Sequence, residues 1–113
     1  MSVKNIQNSE SYKWGKNCDG WKLIHTDSLS VIQEKMPPKT EEELHFHEKS
    51  QQFFYILKGI AEFQIENETF IVHENNGIHI PKMKKHKVIN KTESDLEFLV
   101  ISEPKSHGDR INL

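Results

Sequence analysis

Two histidines two residues apart, His45 and His47, are the most chemically suggestive pair in this 113-residue sequence. Side chains alternate along an extended strand, so both imidazoles would project to one face and could bind a single cation. In a chain with seven histidines such a pair arises readily by chance, and it gains weight only from its company. Five residues beyond His47, Gln52 opens the apolar run 53–57 and shares parity with Phe54 and Ile56, so it can point inward with them. Much later His86 follows Pro81 and begins another apolar stretch. A strand returning His86 to the first pair would assemble three imidazoles and a side-chain oxygen, leaving positions open for water or substrate.

The elements that must position these residues are strands. From Trp21 onward, short runs rich in β-branched and aromatic residues recur between turn signals, and no stretch has helical periodicity long enough for three turns. The runs predict strands at 21–25, 30–36, 45–47, 53–57, 60–65, 69–73, 77–80, 86–90 and 96–101. Pro37 and Pro38 end one strand, Lys58-Gly59 makes a tight reversal, and Asn75-Asn76-Gly77 tolerates positive φ. Ala61, Phe63 and Ile65 alternate with Glu62 and Gln64, as a strand with one wet face requires. Many short antiparallel strands favour a sandwich or barrel, because closure removes exposed edges. Residues 102–113 read as loop.

The pattern His45-Phe46-His47, four residues, Gln52, six residues, Gly59 resembles the first cupin motif, in which glutamate usually occupies the Gln52 place. A second stretch, Pro81-x-Met83-x-x-His86-x-x-x-Asn90, is similar to the second cupin motif, with Met83 where glycine is usual. The resemblance covers about residues 30–101. It implies an all-β double-stranded β-helix, a jelly-roll barrel that is often dimeric, with one metal near a mouth held by His45, His47, Gln52 and His86. It also divides the chain into an N-terminal arm or extra strand (1–20), a barrel (21–104) and a C-terminal tail (105–113). Some ring-opening cupins that act on unsaturated uronic acids share the three-His-plus-Gln set, although Val100 stands here where their acidic partner is expected. A neutral amide in place of a carboxylate leaves a divalent cation without ligand charge, a stronger Lewis acid but more loosely held. The implied cofactor is one divalent transition metal ion, with Zn, Ni, Mn and Fe not distinguished.

Catalysis would also need an acid or base near the ion. The candidates are Glu34 and Arg110, followed by Tyr55, His79 and Asp109. An outward, solvated Glu34 is the ordinary expectation for a strand glutamate, and only an inward one would serve chemistry. Arg110 presents a planar fork suited to a carboxylate or phosphate. Tyr55, on the opposite parity to Gln52, is expected to pack between sheets or at a subunit contact, and His25, His73 and His79 are expected to be bystanders. The run Glu41-Glu42-Glu43 reads as a solvated loop. Trp14, Cys18 and Trp21 mark either a strand packed on the barrel or a lid over its mouth.

Composition bounds the rest. Fifteen basic residues against seventeen acidic ones leave no basic stripe for a phosphate backbone, so nucleic acid is not an expected partner. A single cysteine forbids an intrachain disulfide, and residues 1–10 are polar, with no apolar run for a leader or membrane anchor. The expectation is a cytoplasmic homodimer acting on a small molecule. Three functions compete: a Lewis-acid isomerase or lyase on a sugar-derived or carbonyl substrate, an Fe-dependent dioxygenase, and a non-catalytic small-ligand module.

Overall fold

A computed structural model describes all 113 residues, which form twelve strands and no helix. The strands are β1 (Glu10–Trp14), β2 (Cys18–His25), β3 (Ser30–Met36), β4 (Thr40–Glu41), β5 (His45–His47), β6 (Gln51–Lys58), β7 (Ala61–Ile65), β8 (Glu68–Val72), β9 (Gly77–Ile80), β10 (His86–Asn90), β11 (Leu96–Glu103) and β12 (Arg110–Asn112). One sheet has the order β1-β2-β3-β11-β6-β9 and the other β12-β5-β10-β7-β8, with β4 also on β10. All pairings are antiparallel. This is the jelly-roll β-helix that the sequence implies.

Alternation along the strands builds the core. In β6, Gln52, Phe54 and Ile56 are buried while Gln51, Phe53 and Leu57 are exposed. In β11, Leu96, Phe98, Val100 and Ser102 are buried. Phe54 meets Phe63 of the facing sheet edge-on at 5.0 Å and Phe98 at 5.5 Å. Each such ring contributes about 1.5–3 kcal/mol relative to exposure. At one end, fully buried Asn90 donates from Nδ2 to the carbonyls of Met36, Pro37 and Ser94, while its Oδ1 accepts from Thr92. Buried amides persist only when satisfied in this way.

Two expectations are corrected at the ends of the chain. The hairpin β1–β2 extends the first sheet, and β2 begins at Cys18, three residues before the expected 21–25 strand. Its apolar signal is weak because Gly20 interrupts it. The tail expected to be loop forms the end of β11 and then β12, which pairs with β5 so that Arg110 lies opposite His47. Short β4 was also unforeseen, since two residues carry no periodicity.

Candidate metal centre

His45 and His47 come from β5 and His86 from the adjacent β10, where His86 and His45 are direct cross-strand partners. All three are buried. Their ring centroids lie 4.3–5.7 Å apart, and one ligand atom from each falls within 4.8 Å of the others. Gln52 reaches the same cavity from β6 in the opposite sheet. Two distant pieces of sequence are thus joined by strand pairing, as a β-helix requires.

The ring orientations are fixed from behind. Nδ1 of His45 lies 2.8 Å from the Glu43 carbonyl, that of His47 3.0 Å from Asp109, and that of His86 2.9 Å from Lys84. A carbonyl only accepts, so each Nδ1 carries the proton and each Nε2 keeps its lone pair. Gln52 donates from Nε2 to Ser102 Oγ at 3.0 Å, which leaves its Oε1 free. His47 Nε2, His86 Nε2 and Gln52 Oε1 are buried without a hydrogen-bond partner. Unsatisfied buried acceptors are costly, and these fit a divalent cation, which needs electron pairs and not protons. Burial reinforces this by pushing His45 down to about 3 and His86 to about 4, and by lowering His47. Neutral imidazoles are the ligating form.

Met83, the departure from glycine in the second motif, has φ 72°, the left-handed conformation that favours glycine. Its N–H donates to the His47 carbonyl at 2.7 Å, tying the loop before His86 to β5.

Beside the histidines lies a cavity of about 300 Å³ lined by Tyr12, Trp14, Glu34, Glu42, Phe54 and Arg110 among others. A larger, more open groove of about 740 Å³ runs along β8 and β9, but it contains none of the predicted site residues except His79, an expected bystander. Glu34 points inward, against the ordinary expectation for a strand glutamate. The reason is a cross-strand row in which Tyr12, Gly20 and Glu34 are register partners on β1, β2 and β3. Gly20 has no side chain, so the Tyr12 ring lies over it and donates from its hydroxyl to Glu34 Oε2 at 3.1 Å. Burial raises the Glu34 carboxyl to about 7, with the Tyr12 hydrogen bond opposing.

Glu42 also faces inward, correcting the reading of residues 41–43 as a solvated run; Glu41 and Glu43 alone are exposed. Glu42 accepts the Val88 N–H at 3.1 Å and sits 3.6 Å from the Arg110 guanidinium. Burial pushes it up to about 8, partly offset by Arg110. Arg110 lines the cavity, and its donors already face Glu42, the Glu43 carbonyl and Asn112. Tyr55 and His79 stay on the outer face of the first sheet, His79 meeting Gln51 at 3.0 Å. Tyr12, Glu42 and Ser102 escaped sequence reasoning. Strand parity could have revealed Ser102 and, within the N-terminal segment expected as an arm or extra strand, Tyr12, whereas Glu42 lies between β4 and β5 and has no strand parity to read.

The cupin domain model matches residues 32–102, and the chain belongs to the cupin family. An uncharacterised protein of Methanocaldococcus jannaschii is 33% identical over 93 residues, which span 77% of this chain and 74% of that one. An uncharacterised helix-turn-helix transcriptional regulator of Bacillus subtilis is 41% identical over 59 residues, 52% of this chain but only 20% of its own length. Among solved structures, KdgF from Halomonas sp. superposes with a TM-score of 0.85 at 18% identity, covering 95% of this chain and 98% of that one. At that identity the likeness concerns the fold alone. No helix is long and apolar enough to cross a membrane.

Proposed function

We propose that this cupin is a metal-dependent enzyme of isomerase or lyase type, acting on a small sugar-derived or carbonyl substrate. The observation that carries the reading is the set of acceptors left without partners, His47 Nε2, His86 Nε2 and Gln52 Oε1, in a cluster completed by His45. These four residues would hold one divalent cation. When bound there, such an ion supplies Lewis-acid polarisation of a carbonyl or hydroxyl oxygen, sharpened by a ligand set with no negative charge.

The protein's own groups do the rest. Glu34, with its carboxyl poised near neutrality, takes a proton from the substrate and returns it. Tyr12 holds the carboxylate form by donating to Oε2. Burial lets Glu42 keep a second proton at the cavity wall, against the pull of the Val88 N–H and Arg110. Phe54 and Trp14 restrict water. A cavity of about 300 Å³ stands at the small end of ligand sites, in keeping with a compact substrate.

The partial match to a transcriptional regulator favours a second reading, in which the cavity senses a small ligand without transforming it. Metal analysis of protein purified without chelator addresses the centre itself. Wild type is expected to carry close to one equivalent and His86→Ala almost none, while Gln52→Glu should bind about tenfold more tightly by restoring an anionic ligand. Equal, negligible metal in wild type and His86→Ala under several loading conditions would remove the basis for catalysis. Turnover of hydroxy-aldehydes or uronic acids, followed by proton NMR and abolished in Glu34→Gln, separates enzyme from sensor.

A further inference from the structure

Two of the three histidines are oriented locally, because the carbonyls behind His45 and His86 belong to Glu43 and Lys84, each two residues upstream. His47 is different. Its Nδ1 donates to the carbonyl of Asp109, 62 residues further along the chain. The side chain of that same residue turns to the same corner. Asp109 Oδ1 accepts the Glu48 N–H at 3.3 Å, and Oδ2 accepts those of Lys49 and Ser50, each at 2.9 Å. Residues 48–50 are the loop joining His47 to Gln52. Ser50, itself buried, adds a hydrogen bond from Oγ to the Pro104 carbonyl at 2.7 Å.

One residue of the tail therefore grips both the ring and the connection between two ligands. Asp109 precedes β12, whose pairing places Arg110 opposite His47, so the strand delivers the carbonyl and the carboxylate together. Burial acts to raise the Asp109 carboxyl, and its three backbone donors outweigh that and hold it below the ordinary carboxylate range. A carboxylate collecting consecutive N–H groups is a charge-assisted clamp.

We propose that Asp109 is a positioning residue of the metal centre, presenting His47 Nε2 and Gln52 Oε1 to the cation by fixing the 48–50 loop and the His47 tautomer. This rests on the reading that the cavity binds metal. It adds that docking of the tail and occupancy of the centre are linked, each strengthening the other.

The first arm of the test needs no metal. Long-range proton–nitrogen NMR of the histidine rings in chelator-treated protein should show His47 wholly in the Nδ1–H form. Asp109→Ala keeps the residue 109 carbonyl but loses the carboxylate clamp that docks it, so the carbonyl should drift from the ring and His47 become a mixture of tautomers, while His45 and His86 keep theirs. The second arm is titration with Co²⁺, followed by its visible absorption. Asp109→Ala should bind about 10–100-fold more weakly with an altered band. Asp109→Asn, which keeps an acceptor oxygen, should recover much of both signals, and Ile111→Ala on β12 should match wild type. If Asp109→Ala fails to fold, a smaller shift of the same sign in Asp109→Asn supports the assignment. An unchanged His47 tautomer, with Co²⁺ affinity within about twofold of wild type, overturns it. Failure of wild type to bind Co²⁺ overturns the metal reading instead.

Discussion

At the scale of single residues, Met83 shows how a departure from a familiar motif is accommodated. Its backbone adopts φ 72° because the loop before His86 must turn there to place its N–H on the His47 carbonyl. A non-glycine residue held left-handed costs about 1 kcal/mol, and the side chain, 54% exposed, recovers little by packing. Met83→Gly should therefore leave the metal centre intact and raise stability by up to about 1 kcal/mol, less the extra entropy glycine loses on folding. Urea denaturation of the two proteins checks this, and a clear loss of stability would mean that the methionine side chain contributes more than its exposure implies.

Among the elements, the β1–β2 hairpin has the largest consequence for chemistry, because it supplies the Tyr12 and Trp14 wall and turns Glu34 into a cavity group. The device depends on Gly20. A Cβ there would stand 2.7 Å from both Cε1 and Oη of Tyr12, inside contact distance. Gly20→Ala should displace the ring, separate it from Glu34 and cost about 1–3 kcal/mol, whereas Tyr12→Phe keeps the ring and should cost about 1 kcal/mol. Equal stability of Gly20→Ala and wild type in denaturant melts would place the tyrosine elsewhere. The hairpin was poorly legible in sequence for the same reason that it works: a glycine and charged residues interrupt the alternation from which a strand is recognised. His45, His47 and Gln52 were legible because their parity is local. Glu42 was not, since a run of three glutamates gives no sign that its middle member turns inward.

Across the whole molecule, the buried histidines and the inward-facing carboxyls of Glu34 and Glu42 pull stability in opposite directions with pH. An ordinary imidazole titrates at 6.5, whereas the fold lowers His45 to about 3, His86 to about 4 and His47 as well. The unfolded chain then binds protons that the folded one refuses, so stability falls as pH drops below about 6.5. Glu34 and Glu42 are raised from 4.5 to about 7 and about 8. There the folded state retains protons that the unfolded state has released, so stability falls as pH rises from about 4.5 to 8. Metal-free protein should be most stable near about pH 5–6, and thermal melts across pH 4–9 would show it. The Glu34→Gln, Glu42→Gln double variant should lose the alkaline decline and keep the acid one. A monotonic rise to pH 8 in wild type would show that these carboxyls ionise freely.

The sequence by itself determined the strand-rich architecture, the family and three imidazoles with an amide at the right spacings, because alternation and turn chemistry are written in neighbouring residues. The tertiary structure decided which second groups face that centre. Tyr12 reaches Glu34 across a glycine on an intervening strand, and Asp109 reaches His47 from the far end of the chain. Such contacts arise from the pairing of remote strands, and no local pattern encodes which strand will lie beside which.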